Sequence, residues 1–391
     1  MLAAAIASML LTGCTAGPQP DPSPPGIPTE IGDALDGLTQ RFVGETGTPG
    51  LLVGVWTKDG EYVRALGTAD LLTGAPIARD QQYRIGSQTK VMVGSIILQL
   101  AGEGALSLDD PVSTWVDGVP GGDGIAIRQL LNHTSGLGDI FASPTIQAKL
   151  ADGCTPEELL TEGAQVPVIG PPGGQWHYSN YAWDLLGWIA QEASGGTPLS
   201  TLIQERIAEP LGLTRTSLTS DIAVSGLTEP AMHGYMTTDD LSATPDAAAD
   251  ASSLPSSCLW AAGGAVSTLD DMHTWVDAMA TGQLVDPEVW AEATAEPVTT
   301  PDIAMGPNDF LWYLGPAGFG SFIGHQGGLP GYESASFSSP ETGTTIVVAS
   351  NKQYGSVAIT GFVEELALAV DGPDAAPIQP GEGFTKLTSI P

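Results

Sequence analysis

Apolar and polar positions change rhythm three times along this chain. Leu51–Thr57 and Tyr62–Leu66 are short runs rich in β-branched and aromatic residues around Lys58-Asp59-Gly60, which predicts a hairpin. From Ser87 to Gly102 the period lengthens. Val91, Val93, Ile96, Ile97 and Leu100 supply apolar positions of a predicted helix, and a glycine closes it. Between about 110 and 255, short helical stretches alternate with Gly- and Pro-rich loops. Thr155-Pro156-Glu157-Glu158 opens one of them with a cap residue, a proline at the first helical position and two acids. Ala182–Ala193 reads as another, closed by Ser194-Gly195, and Thr268 with Asp271 resembles a capping box for a helix ending near Gly282. The last third returns to strands, over Phe310–Leu314, Ser321–His325, Glu333–Ser338 and Thr344–Ser350. A helix follows with Ile359, Phe362, Val363 and Leu366 on one face.

Strands at both ends enclosing a helical middle predict an α/β (α+β) fold. One antiparallel sheet, built from the N- and C-terminal segments and flanked by helices, would carry a large, mostly α-helical insertion. The sheet part takes about residues 31–110 and 256–372, the insertion about 111–255, and 373–391 form a C-terminal tail. A chain of 391 residues with 42% hydrophobic content can bury a core of that size. Charge narrows the partners. The 12 Lys and Arg against 45 Asp and Glu give a formal net charge of −33, which repels a phosphate polymer, so no nucleic acid is expected. No apolar run reaches the roughly eighteen residues of a membrane-spanning helix.

The N-terminus has its own signature. Leu2–Leu11 is an apolar stretch of signal-peptide length, and Leu11-Thr12-Gly13-Cys14 follows. This resembles the lipobox of bacterial lipoproteins. The resemblance implies a signal peptide over 1–13, a lipid on Cys14, and a location outside the cytoplasm on the outer face of the bacterial cytoplasmic membrane. Residues 14–30, rich in proline, would be an extended tether. Cys154 and Cys258 then remain. Outside the cytosol they could pair, and the sequence leaves open whether their backbones approach closely enough.

Three short motifs carry candidate chemistry. Ser87-Gln88-Thr89-Lys90 begins the first strong helix, where free backbone N–H groups favour developing negative charge. Lys90, three residues on, shares a face with Ser87, and burial would make its amine easier to deprotonate. A capping serine with a solvent-facing lysine fits the same four letters. In Tyr178-Ser179-Asn180 a phenol can carry a proton if nearby positive charge lowers its pKa, and an amide can hold both a lysine and a substrate carbonyl. His325-Gln326-Gly327, with Gly328 next, lies on a predicted strand whose glycines would let a substrate backbone approach.

Taken together and in this order, the motifs resemble the serine β-lactamase-like hydrolases that include class C β-lactamases and D-alanyl-D-alanine carboxypeptidases. Ile127–Leu137 (including His133-Thr134-Ser135-Gly136), Pro171–Asn180, Ala262-Gly263-Gly264 and Asn351-Lys352 are similar too. The resemblance implies that Ser87 is acylated, that Lys90 and Tyr178 share the proton transfers, and that Asn180 positions substrate. His325 would stand where the family's third motif has lysine, with Gln326, Gly327 and Gly328 along the substrate. The backbone N–H groups of Ser87 and Gly328 would form the oxyanion hole. His133 is expected to be structural, and His177 to pack beside the site. No cofactor or metal is implied. The expected ligands are a small peptide, an ester or a peptidoglycan-derived acyl donor, with β-lactams as acylating ligands.

Two departures shift the balance within that family. The third motif has Gln326 where a hydroxyl residue is usual, and no arginine follows Arg215, leaving Lys352 and Lys386 as the later permanent cations. His325 could be charged only in part near neutral pH. Recognition of a terminal carboxylate is therefore weakened, and an esterase or amidase acting on a less charged donor gains ground beside a carboxypeptidase. A β-lactamase and a non-catalytic, peptidoglycan-binding lipoprotein remain alternatives. A Ser-His-Asp hydrolase is disfavoured because no serine has glycine at both −2 and +2. A zinc hydrolase is disfavoured because no His-Glu-x-x-His occurs.

Overall fold

In the strand Gly50–Thr57, Leu51, Val53 and Val55 face one core and Leu52 the other, as a pleated strand requires. The same division recurs in Thr344–Ser350, where Ile346 and Val348 join the first core and Val347 and Ala349 the second. Both strands are therefore buried on two faces, which explains their nearly continuous apolar character. These positions come from a computed structural model that describes residues 26–219, 223–236, 249–294, 312–313, 322–353 and 356–372.

The main sheet has seven strands. Their spatial order is Ala75–Pro76, Gly60–Asp70, Gly50–Thr57, Thr344–Ser350, Tyr332–Ser339, Ile323–Leu329 and Trp312–Tyr313, and every neighbouring pair is antiparallel. The N-terminal hairpin thus meets the C-terminal strands in the middle of one sheet, as the sequence pattern predicts. Of the expected strand Phe310–Leu314, Trp312–Tyr313 are found as strand and the rest lies outside the described residues. The expected Ser321–His325 runs instead as Ile323–Leu329, carrying the pairing through Gly327 and Gly328.

Helices Thr29–Thr46 and Ser356–Asp371 cover one face. Leu35, Phe42, Ile359, Phe362, Val363 and Leu366 fill that core, and Phe42 stacks on Phe362 at 4.2 Å. The first helix begins at Thr29, so the tether expected to reach residue 30 is already helical there. Residues 1–25, which include the expected signal peptide and Cys14, lie outside the described residues, as does the expected tail 373–391. Among the described residues no helix is long and apolar enough to cross a membrane.

The other face packs against helices Gln88–Gly102 and Leu269–Ala280, with the helical middle of the chain beyond them. Gln88–Gly102 is buried nearly all round, so its apolar stripe shows only part of what it touches. The caps follow the sequence: Thr155 Oγ1 accepts from Glu158 N at 3.2 Å and Thr268 Oγ1 from Asp271 N at 3.3 Å. Helix Asn180–Ala193 starts two residues earlier than its apolar pattern, because Ser179 Oγ caps Ala182 N at 3.2 Å. Cys154 and Cys258 form a disulfide with Cα atoms 4.7 Å apart. It joins the start of helix Pro156–Gly163 to the segment before Trp260–Gly263.

Candidate active site

Ser87 stands at the cap position of Gln88–Gly102, yet its side chain makes no capping bond. Its hydroxyl is engaged elsewhere. Tyr178 OH donates to Ser87 Oγ at 2.9 Å, and Lys90 Nζ donates to it at 3.2 Å. Lys90 also donates to Asn180 Oδ1 at 2.8 Å and to the Ala262 carbonyl at 2.6 Å. All three ammonium protons are thereby committed. The structure thus brings Ser87, Lys90, Tyr178 and Asn180 to one point from two separate stretches of chain.

The two proton-bearing groups differ electrostatically. Lys90 is fully buried, and desolvation lowers its pKa to about 7, against the upward pull of Asp184 and Asp139. Tyr178 does not meet the condition that the sequence set for a proton-accepting phenol. Desolvation raises its pKa, the bond to Ser87 counters this in part, and Asp139 raises it further. Lys90 Nζ sits over the Tyr178 ring, 4.8 Å from its centre. Near neutral pH the amine is the group that can lose its proton, and the phenol stays a donor.

Asn180 is held from behind. Asp139 Oδ2 accepts from Asn180 N at 2.9 Å and from Asn180 Nδ2 at 2.8 Å. His133, expected to be structural, is buried and stacks on the Tyr178 ring at 4.5 Å, with its Nδ1 accepting from Ser179 N at 3.1 Å. Burial holds its pKa well below the usual histidine value. His177, expected to pack beside the site, has an exposed side chain, and its backbone N–H reaches the His133 carbonyl at 2.8 Å.

In the third motif it is the charge of His325 that departs from expectation. His325 is buried, and desolvation pushes its pKa down to about 3, so it is neutral rather than partly charged. Its Nδ1 points at the Gln326 carbonyl, which places the ring proton there. The Gln326 side-chain oxygen accepts from Thr360 on the C-terminal helix. Gly327 is needed for an approach within the chain itself. A Cβ there would lie 1.9 Å from the Ile85 carbonyl oxygen and 3.0 Å from Ser87 N. Gly86, with φ of 56°, is constrained in turn, since a Cβ on it would meet Gly328 N at 3.0 Å. The backbones bearing the Ser87 and Gly328 N–H groups therefore face one another closely.

These residues border a cleft of about 410 Å³ lined by Ser87, Phe141, Trp176, Tyr178, Asn180, Leu259, His325, Gln326, Gly328 and Gln353. None of them is an acid, a lysine or an arginine. Lys352 is occupied elsewhere, donating to the Thr46 carbonyl at 2.8 Å, and Lys386 lies outside the described residues. A hollow of about 550 Å³ beside Trp115, Tyr181 and Trp188 is lined by none of the residues of the three motifs. Among the described residues no group of three or more His, Cys, Asp or Glu could hold a metal ion.

Sequence reading missed Asp139, Asp184, Phe141 and Trp176. A signal existed for the two acids. Asp139 interrupts Leu137-Gly138-Asp139-Ile140-Phe141, and Asp184 interrupts Tyr181-Ala182-Trp183-Asp184-Leu185-Leu186, both otherwise free of charge. Asp184 is fully buried, and desolvation raises its pKa well above the usual carboxyl value.

Comparison with known proteins bears on this arrangement. An esterase of Burkholderia gladioli is 34% identical over 178 residues, covering 41% of this chain and 45% of the esterase, so the match spans under half of that relative's length. A D-stereospecific amidohydrolase from a Streptomyces species superposes with a TM-score of 0.71 at 26% identity, covering 87% of this chain and 98% of that one. A D-amino acid amidase from Ochrobactrum anthropi SV3, solved with L-phenylalanine amide, gives 0.73 at 25% identity, covering 88% and 98%. The family model described as Beta-lactamase matches residues 35–368, so this chain belongs to the β-lactamase family of serine hydrolases.

Proposed function

We propose that this protein hydrolyses uncharged esters or amides through an acyl-enzyme on Ser87, with a terminal carboxylate playing no part in recognition. The observation that carries this reading is the cleft wall, where the described residues supply aromatic, apolar and neutral polar side chains and His325 is held uncharged. A D-alanyl carboxylate would enter without a counter-charge, and burying it unpaired costs several kcal/mol. Similarity to an esterase, an amidohydrolase and an amidase supports this donor class.

The steps follow from the geometry. Lys90, unprotonated, accepts the Ser87 proton as Oγ attacks the acyl carbonyl. The oxyanion forms against the backbone N–H groups of Ser87 and Gly328. Tyr178 OH donates to the departing alcohol or amine, and the phenolate so formed takes back the proton that Lys90 received from Ser87, while Oγ, now acylated, carries none. Water then attacks the ester with the same groups in reversed roles. β-Lactams, which carry a carboxylate, would acylate slowly and be released more slowly. A lipid on Cys14 would hold this chemistry at the outer face of the membrane.

Three substrates test the reading: a short p-nitrophenyl ester, a D-Ala-D-Ala peptide and nitrocefin. Ester hydrolysis is expected, lost by at least about 10³-fold in Ser87→Ala, with little or no turnover of the other two. Rapid peptide or nitrocefin turnover would overturn the assignment of an uncharged donor. Ester hydrolysis that survives Ser87→Ala would overturn the acyl-enzyme.

A further inference from the structure

We infer that Asp139 is a positioning residue that decides which end of the Asn180 amide meets Lys90. The inference rests on the acyl-enzyme reading and adds a part to that site. An asparagine amide has two ends of almost equal size and opposite hydrogen-bonding character. Were the ends exchanged, an NH₂ group would face the Lys90 ammonium, with a repulsive contact where an acceptor is needed. Steric fit cannot prevent this exchange, so a chemical constraint must.

Asp139 supplies that constraint. A carboxylate accepts hydrogen bonds and donates none, so only the nitrogen end of the amide can face it. Oδ2 takes both the Asn180 backbone N–H at 2.9 Å and Nδ2 at 2.8 Å. The amide oxygen is left to face Lys90 at 2.8 Å. The other oxygen of Asp139 accepts from Phe141 N at 2.8 Å, capping the turn Ile140–Ala142 that carries Phe141 to the cleft wall. One carboxylate therefore joins the amide at the nucleophile to the wall of the cleft. It also lies at the N-terminus of a 14-residue helix, where negative charge is favoured.

The amine that Asn180 orients is surrounded by titratable groups on every side. Tyr178 and His133 approach from the loops, Asp184 from helix Asn180–Ala193, and His325 from the strand. Asp184 and Asp139 both favour the charged amine. Removing the Asp139 charge should therefore move the acid limb of the rate profile to lower pH, which a purely structural residue would not do.

A swap of the pair tests the idea. Asp139→Asn sets a donor against a donor, and Asn180→Asp sets an acceptor against an acceptor. Each should lower kcat/KM for a p-nitrophenyl ester by about tenfold or more, with the acid limb moving to lower pH in the first and higher pH in the second. The double variant restores donor to acceptor between the two side chains but leaves the backbone N–H of residue 180 facing a donor, so its kcat/KM should fall clearly less than the product of the two single-variant losses, with the limb returning. Losses that add in the double variant, or an Asp139→Asn enzyme with unchanged rate and pH profile, would overturn the inference. If a single variant folds poorly, the double variant still decides, its melting temperature returning with its activity. Wild type is first labelled with a fluorophosphonate. Failure there sinks the acyl-enzyme itself and this inference with it, whereas labelled wild type with an unrescued swap sinks only the role of Asp139.

Discussion

The two faces of the sheet bury similar backbones and do opposite things with them. Toward the N- and C-terminal helices the strands turn Leu51, Val53, Val55, Ala335, Phe337, Ile346 and Val348, a surface that needs only to be filled. Toward helix Gln88–Gly102 the strand Tyr332–Ser339 turns hydroxyls. Gln88 Nε2 donates to Ser334 Oγ at 2.6 Å, Ser336 donates to the Gln88 oxygen, and Ser334 Oγ donates to the Ile85 carbonyl at 3.1 Å. Apolar packing tolerates small shifts, whereas hydrogen bonds fix distance and angle. The second face is the one that sets where Ser87 sits. The lesson is a division of labour: one face supplies stability, the other supplies aim.

Phe362→Ala on the first face should give the largest effect, a loss of about 3–5 kcal/mol in unfolding free energy. The kcat/KM of the folded enzyme should stay within about twofold. A comparable drop in kcat/KM measured well below the melting temperature would break the division. Gln88→Leu on the second face should do the reverse, lowering kcat/KM by roughly tenfold for about 1–3 kcal/mol of stability. Unchanged ester kinetics in that variant would show that the hydroxyl network does not aim the helix.

The smallest effect separates the faces by pH. Lys90 must be unprotonated to accept a proton, and its pKa of about 7 predicts that kcat/KM falls about tenfold between pH 8 and pH 6. Glu364, on the C-terminal helix, is also raised to about 7, by burial first and then by Glu365. Because its folded pKa lies above the unfolded value, the unfolded chain gives up that proton first, so stability falls as pH rises from about 4.5 to 7. Glu364→Gln should flatten that decline in chemical denaturation and leave the rate profile where it was. A displaced rate profile would mean that the two faces are coupled.

Legibility from sequence followed the same line. Local patterns were readable: the continuous apolar run Thr344–Ser350 reproduces its strand, and the caps at Thr155 and Thr268 bond as expected. The three motifs were visible because each keeps its residues within a few positions, and the structure brings Ser87, Lys90, Tyr178 and Asn180 together. What escaped depends on surroundings. For Tyr178 the sequence offered a proton carrier only on condition that a cation lowers its pKa, but burial raises it, and burial is not written in neighbouring letters. His325 loses its charge for the same reason. Asp139 reaches Asn180 across 41 residues and Lys90 reaches Ala262 across 172, distances at which no periodicity carries information.

The close passage of Gly327 against Ile85 and Ser87 is made by main chain on both sides. Its dimensions are thus independent of side-chain identity, while the surrounding cleft is finished by Phe141, Trp176 and Leu259. Drift at those three positions can retune which acyl group fits, one wall at a time, with the reacting oxygen unmoved. A scaffold built this way can diversify in diet without relearning its chemistry.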